Sequence, residues 1–463
     1  MKTLDYGNQQ KAWGSPAVFI ILLAMATIFL AGCENGGGDS RSTTEPLPGG
    51  QYQSFTGDGA WCWFSDPRAV YYEGEHRRTY AGWVDSAGSI VVGYYDHESG
   101  EMNQHILSKE LQVDDHNNPS LLFSEEGKLL VFYSKHATEA PIRLHRSAAP
   151  ETITDWEEPA ALDLNDTARY ARYSDTYTYT NPRYLAGEDK LFLFWRGSDF
   201  KPNFSVSGDM GRTWSRSRIF ILPERKYRDR RPYIKVASNG QDRIHFAFTQ
   251  GHPRMEEHNN IYYMRYSGGA YYRADGTRIK DTSQAVRPGE ASLVYDASQT
   301  GSKAWVWDVA ADEQGHPVIA YARFPDDSTH IYSYARWDGQ EWHNYDLKDS
   351  GKWFPETPEG RQEPEPNYSG GLALDHENPG TVYLSAEAGP DSTFEIERWT
   401  TKDGGRSWNP TRITRNSAND NVRPVAVRNA GPEIPLQFLW MNNEEYVHYT
   451  DYRSAIKMNM VPE

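Results

Sequence analysis

The chain has 463 residues, 38% of them hydrophobic and 13% aromatic, with 30 tyrosines and 15 tryptophans. That content can bury a large core, and the aromatic excess favours β structure and sugar stacking over a helical bundle. A formal net charge of -16 excludes nucleic acid as a bulk partner, because phosphate binding needs a basic footprint.

The first element in chain order is a targeting segment. Lys2 and Lys11 precede an apolar run from Ala17 to Leu30, too short for a comfortable membrane span, and then Leu30-Ala31-Gly32-Cys33. That tetrapeptide resembles a bacterial lipobox, so residues 1–33 are expected to be a lipoprotein signal with Cys33 lipidated. Glu34 rather than Asp follows, which points to the outer membrane, facing the periplasm or the cell surface. Residues 34–56, rich in Gly, Ser, Thr and Pro, read as a flexible tether, and residues 57–463 as one catalytic domain. With Cys33 acylated only Cys62 remains, so no intrachain disulfide is expected.

From Trp61 onward a unit of about 50 residues repeats, the period of propellers and solenoids. Five units open on a proline before an apolar strand: Asp66-Pro67-Arg68-Ala69-Val70, Asn118-Pro119, Asn181-Pro182, Arg231-Pro232-Tyr233-Ile234 and Arg423-Pro424-Val425. Two more start at Trp305-Val306-Trp307-Asp308 and Tyr368-Ser369-Gly370-Gly371-Leu372, making seven. A turn and an aromatic second strand follow each opening, as in Leu191–Trp195 or Ile244–Phe248. The prediction is an all-β, seven-bladed β-propeller with four-stranded antiparallel blades.

Ser207-Gly208-Asp209-Met210-Gly211-Arg212-Thr213-Trp214 and Thr401-Lys402-Asp403-Gly404-Gly405-Arg406-Ser407-Trp408 both fit the Asp-box pattern Ser/Thr-x-Asp-x-Gly-x-Ser/Thr-Trp. Trp337-Asp338-Gly339-Gln340-Glu341-Trp342 is a degenerate relative. These turns are expected between outer strands, away from the axis, and say nothing about chemistry.

In a propeller, residues just before the first strand and just after the second crowd one axial face. Blade two contributes Asp115, His116, Asn117 and His136; blade three Tyr179, Asn181 and Arg196; blade four Asp229, Arg230, Arg231, Gln250 and His252. Antiparallel pairing should put His116 beside His136 and Tyr179 beside Arg196. Arg196 ends an apolar strand, where a cation is costly unless it meets an anion. Imidazole, phenol and guanidinium together fit β-elimination of a uronic-acid glycoside: a neutraliser for the carboxylate, a base at C5 and an acid at O4. A hydrolase would instead want two carboxylates flanking the bond. Asn117, Asn181, Arg230, Arg231, His252 and Tyr368 are the candidates for holding substrate. His245, His252 and His258 match no compact zinc motif, so the sequence leaves a structural divalent ion open, and the chemistry requires no cofactor.

Gly57-Asp58-Gly59-Ala60-Trp61-Cys62-Trp63-Phe64, Asp115-His116-Asn117-Asn118-Pro119-Ser120-Leu121, Tyr179-Thr180-Asn181-Pro182, Phe194-Trp195-Arg196-Gly197, Asp242–Thr249 and Tyr368-Ser369-Gly370-Gly371 resemble the BNR-repeat polysaccharide lyases, particularly the ulvan lyases. The likeness runs from Gly57 to Tyr452. It implies a seven-bladed propeller, His116 and Tyr179 as the acid/base residues, Arg196 as carboxylate neutraliser and His136 in support. The implied substrate is ulvan, an anionic polymer of sulfated rhamnose and uronic acid, with the basic run Arg225 to Arg231 available to sulfate or carboxylate. The protein is expected to act as a monomer. Two other functions fit parts of the sequence: a sialidase-like exo-hydrolase, suggested by the Asp boxes, and a non-catalytic glycan-binding lipoprotein.

Overall fold

The computed structural model describes residues 52–165, 175–224, 231–388 and 392–459. The signal segment, Cys33 and most of the tether lie outside the described residues, as do Asp229, Arg230 and the rest of the basic run before Arg231.

Among the described residues the strands form seven antiparallel sheets that follow one another along the chain. Their innermost strands are Ala69–Glu73, Ser120–Phe123, Thr178–Leu185, Ile234–Ser238, Lys303–Ala311, Leu372–Leu374 and Asp420–Ala426, one for each predicted opening. The second strands are Arg77–Val84, Leu129–Tyr133, Lys190–Arg196, Ile244–Thr249, Pro317–Phe324, Thr381–Glu387 and Phe438–His448. We number the blades 1 to 7 in this order. The architecture is the seven-bladed β-propeller the repeat predicts, and helix is nearly absent, with one four-residue turn at Ala297–Thr300 among the described residues.

Two departures from the prediction concern strand number and closure. Blade 4 holds six strands, because the hairpin Ala270–Tyr272 and Arg278–Asp281 extends its outer side and Ser292–Tyr295 also pairs with its third strand. Blade 7 takes its outermost strand from the other end of the chain: Ser54–Thr56 pairs with Asp451–Met458, Ser54 opposite Lys457. The last residues of the stretch read as a tether, 34–56, are therefore part of the fold. This pairing closes the ring and removes the free edge that blade 7 would otherwise present.

The axis is filled by the chain entering the ring. Trp61, Trp63 and Phe64 are buried. Trp63 stacks on Trp307 at 4.2 Å and meets Trp305 and Tyr368 edge-on, while Phe64 packs against Tyr179, Tyr233 and Trp305. Backbone groups of the same segment are tied to other blades: Cys62 N–H donates to Asp115 O at 3.0 Å, and Asn181 Nδ2 donates to Phe64 O at 2.8 Å. Residues 61–66 thus plug the channel, and the site rests on this plug.

The turns Ser207–Trp214 and Thr401–Trp408 join third and fourth strands of blades 3 and 6. In the first, Asp209 accepts from Thr213 N and Oγ1, Gly211 takes φ +85°, and the Trp214 indole donates to Gly211 O at 3.2 Å. The second repeats these bonds with Asp403, Ser407, Gly405 and Trp408.

Candidate active site

The pairing of blades 2 and 3 assembles the site. His116 sits in a 3-10 turn, Asp115–Asn117, just before the inner strand of blade 2, and Asp114 caps the turn by accepting from His116 N at 3.0 Å. His136 follows the second strand of the same blade. The two imidazoles stack with centroids 4.2 Å apart and planes 10° from parallel. One carboxylate holds both: Asp114 Oδ1 is 2.8 Å from His116 Nδ1, and Oδ2 is 2.7 Å from His136 Nδ1. The antiparallel expectation for this pair is met, and the residue that orients it is one the sequence reading did not single out.

In blade 3 Thr178 lies opposite Arg196, and the register slips between Thr178 and Asn181. Tyr179 is in that bulge with φ +64°, a left-handed conformation that costs a non-glycine residue roughly 1–2 kcal/mol. The bulge swings its ring out of the ladder towards the axis. There Arg196 Cζ stands 4.6 Å over the Tyr179 ring, and the His116 ring centroid is 5.7 Å away. A bridge between Thr138 and Tyr177 stitches the two blades together beside the site. His116, His136, Tyr179 and Arg196 therefore converge on one face.

Arg196 is 5% exposed. Its Nη1 donates to Tyr233 Oη at 3.0 Å and its Nη2 to Thr178 Oγ1 at 3.5 Å, while Nε has no partner. Among the described residues no carboxylate pairs with it. A buried guanidinium held only by neutral oxygens is a preformed receptor for a ligand anion. The cavity bounded by Tyr179, Arg196, Pro202 and Tyr233 is about 10 Å³, room for no more than about one water.

The environment drives the two histidines apart. Burial opposes a charge on His116, but the Tyr179 and Tyr368 phenols, the Cys62 thiol and the Asp114 carboxylate outweigh it and hold its pKa well above the ordinary imidazole value. Burial and the neighbouring His116 charge depress His136 to about 4, against the pull of Asp114. Tyr179 is raised well above 10 by burial, with His116 and Arg196 pulling it back. The two imidazoles of the stack are thus driven in opposite directions, and the charges of His116 and Tyr179 favour one another, so that a single proton lost from that pair leaves one acid and one base side by side.

The other predicted residues divide. Tyr368 is 4% exposed and its hydroxyl lies 3.1 Å from His116 Nε2, so it supports the histidine. His252 does line the same face, its ring 4.5 Å from Trp305 and 5.5 Å from Tyr233, with Glu365 3.9 Å from its Nε2. Arg231 lies over the Phe200 ring at 4.0 Å, next to Arg196. Asn117 and Asn181 are each 1% exposed, and their amides donate to the carbonyls of Gln112 and of Phe64 and Tyr179. These bonds brace the turn and the plug, and the burial leaves little of either side chain open on the face.

The structure adds residues the sequence reading passed over. Tyr449 meets His116 edge-on at 4.6 Å, and Tyr233 anchors Arg196. Arg423 has φ +50° in a bulge of blade 7 that matches Tyr179 in blade 3. It is fully buried, where it binds Asp115 and Trp61 O and fixes the acidic turn from below. The histidines considered for a metal are dispersed: His245 is buried against Tyr263 at 2.7 Å, whereas His258 is on the surface. Asp114, His116 and His136 do bring ligand atoms within 4.8 Å of one another, as do Cys62, Asp115 and His116. Both oxygens of Asp114, however, are engaged by imidazole Nδ1 atoms, so the set is spent on orienting the rings.

Residues 78–350 match the model of the BNR repeat-containing family. The chain is 22% identical over 316 residues to an ulvan lyase, PL25, of Pseudoalteromonas sp. (strain PLSV); the match takes in 57% of this chain and 60% of that protein's length. Two solved structures of a PL25 ulvan lyase superpose with a TM-score of 0.65. The one bound to -[GlcA(1-4)Rha3S]- is 17% identical and covers 88% of this chain and 94% of its own. The other is 16% identical, covering 89% and 95%. Seven blades, the site on their common face and a family match across more than half of the residues lead to one statement of kinship: the chain belongs to the BNR repeat-containing family.

Proposed function

We propose that the protein is a polysaccharide lyase that cleaves a sulfated, uronate-containing polysaccharide of the ulvan type by β-elimination. The observation that carries this reading is Arg196: a buried guanidinium with no carboxylate partner among the described residues, set against a phenol and a split-pKa imidazole pair. A uronate carboxylate on Arg196 spreads the negative charge that builds as C5 loses its proton. His116 and Tyr179 divide the proton transfers. One takes the C5 proton, the electron pair forms the C4=C5 double bond, the C4–O4 bond breaks, and the other gives its proton to O4. His136 and Asp114 hold the His116 ring in place. The named activity of the similar PL25 protein supports the same substrate class.

The test is to incubate the protein, lacking residues 1–33, with ulvan and follow ultraviolet absorbance. The reading requires a rise from 4,5-unsaturated uronate that disappears in Arg196→Ala, His116→Ala and Tyr179→Phe. Reducing ends without absorbance would identify a hydrolase, and binding without either a glycan-binding module. We further infer that Cys33 anchors the enzyme to the outer membrane, in which case Cys33→Ala releases it to the soluble fraction.

A further inference from the structure

The active site uses residues at the starts of the inner strands. At their other ends, roughly 16 Å away for strands of about five residues, a second cavity of about 610 Å³ opens. It is lined by residues from all seven inner strands or the turns after them, among them Val70, Phe123, Arg183, Ser238, Ala311, His376 and Arg428. The plug lies between the two openings, so this is a separate compartment, and its size suits a small ligand.

Its floor carries an excess of positive charge. Arg68, Arg183, Lys235 and Arg428 surround two carboxylates, Asp66 and Asp308. Asp66 binds Arg68 at 3.0 Å and also Lys235. Asp308 receives His376 at 3.1 Å and Leu374 N at 3.1 Å, with Arg428 only at 3.7 Å. Among the described residues no carboxylate pairs directly with Arg183, whose nitrogens donate to the carbonyls of Asp66, Pro182 and Val236. Burial, with repulsion from Arg428, pushes its pKa down to about 10 against the pull of Asp66 and Asp308. Among the described residues Arg428 Nη1 and Arg243 Nε, both on the cavity wall, have no hydrogen-bond partner, and Arg243 Nε meets the Asp242 carboxylate only at 3.8 Å. The rim acids are already occupied or at the edge: Asp312 pairs with Arg336 at 2.6 Å, Glu377 accepts from Asn429 N at 3.0 Å, and Glu313 is exposed.

We propose that this opposite mouth is a second binding site, for a small oxyanion, with Arg428 and Arg183 as its receptors and Arg243 at its rim. The chemistry is a sulfate or carboxylate group, either free in solution or borne by a sugar. A bound anion supplies Arg428 with the partner that Asp308 provides only distantly and offsets the positive floor, which ties the inner strands of blades 3, 4 and 7 together at the end remote from catalysis.

The experiment titrates the full soluble chain with sodium sulfate and, separately, sodium glucuronate by calorimetry at constant ionic strength, and maps selenate by anomalous diffraction in soaked crystals. The proposal predicts one saturable site for at least one of the two anions, a selenate peak against Arg428, and affinity at least ~10-fold weaker in Arg428→Gln, the loss of about 1.4 kcal/mol expected for one charge-assisted bond. Tighter binding of glucuronate than sulfate assigns the site to sugar-borne anions, and the reverse to inorganic ones. Because Arg428 also faces Asp308, Arg243→Gln at the rim serves as a second variant and should weaken binding should Arg428→Gln fail to fold. No saturable binding of either anion, unchanged affinity in the folded variants, or selenate only on the His116 face would overturn it.

Discussion

Asp114→Asn is the substitution that probes the site most sharply. The side chain keeps its shape, so the 3-10 turn, whose cap is one oxygen accepting from His116 N, can persist. What is lost is symmetry. A carboxylate accepts from both imidazole Nδ1 groups, at 2.8 and 2.7 Å, whereas an amide accepts on one side and donates on the other. One ring must switch to the tautomer with its proton on Nε2, and the negative charge that keeps a proton on the buried pair disappears. Each charge-assisted hydrogen bond is worth about 1.5–3 kcal/mol, so kcat should fall on the order of 10- to 150-fold with little change in KM. The assay is initial-rate absorbance on ulvan, with histidine nitrogen shifts by NMR to read tautomers and near-ultraviolet circular dichroism to confirm the fold. A folded variant with kcat within about twofold of the parent and both tautomers unchanged would refute the orienting role.

Arg196→Lys retains charge but not the planar fork, and it should lose at least about tenfold in kcat/KM on ulvan; equal activity would show that no carboxylate is held there. Trp63→Ala removes a fully buried indole from the plug and should destabilise the fold by about 3–5 kcal/mol in chemical denaturation, with the loss read as a lower midpoint. Gly371→Ala places a Cβ 2.7 Å from the Trp307 ring at φ +104°, so a clear loss of stability is expected there too.

Acid lability follows from the buried histidines. His136, His145, His330 and His376 are depressed to about 4 and His245 to about 3, chiefly by burial, and His252 is lowered as well. Below the ordinary imidazole value near 6.5 the unfolded chain takes up protons that the fold refuses, so stability falls as pH drops from about 6.5 to 4. Asp375 and Asp420, raised to about 6 by burial, and Glu365, also raised, act in the opposite sense. The five histidines held near 3 or 4 against the two aspartates held near 6 leave a net uptake of about three protons near pH 5, a slope of about 4 kcal/mol per pH unit. Denaturation free energies that stay flat between pH 6.5 and 4.5 would contradict this count.

The ring was legible because each inner strand announces itself locally, as in Asn181-Pro182 or the Trp305–Asp308 run, and because the second strands are aromatic. Closure was not: Ser54–Thr56 is three residues long, follows a glycine-rich stretch, and finds its partner 403 positions away. The plug was hidden for the same reason, since Trp63 meets Trp307 and Tyr368 only through the assembled ring. Adjacency of His116 with His136 and of Tyr179 with Arg196 could be read from antiparallel pairing alone. That Asp114 holds both rings, while Asp115 binds Arg423 with one oxygen and approaches only His116, at 3.1 Å, with the other, depended on the turn. The bracing bonds of Asn117 and Asn181 were not legible, because polar side chains near an axis serve backbone carbonyls as readily as ligands.

The central claim is that a buried Arg196, with no carboxylate partner among the described residues, receives a uronate while His116 and Tyr179 move its proton. The most direct measurement is ultraviolet absorbance during digestion of ulvan compared with the same polymer whose uronate carboxylates have been reduced to alcohols. The account predicts unsaturated product from ulvan and none from the reduced polymer, with the first signal abolished in Arg196→Ala. Equal cleavage of both polymers, or unsaturated product from the Arg196→Ala variant at the parental rate, would contradict it.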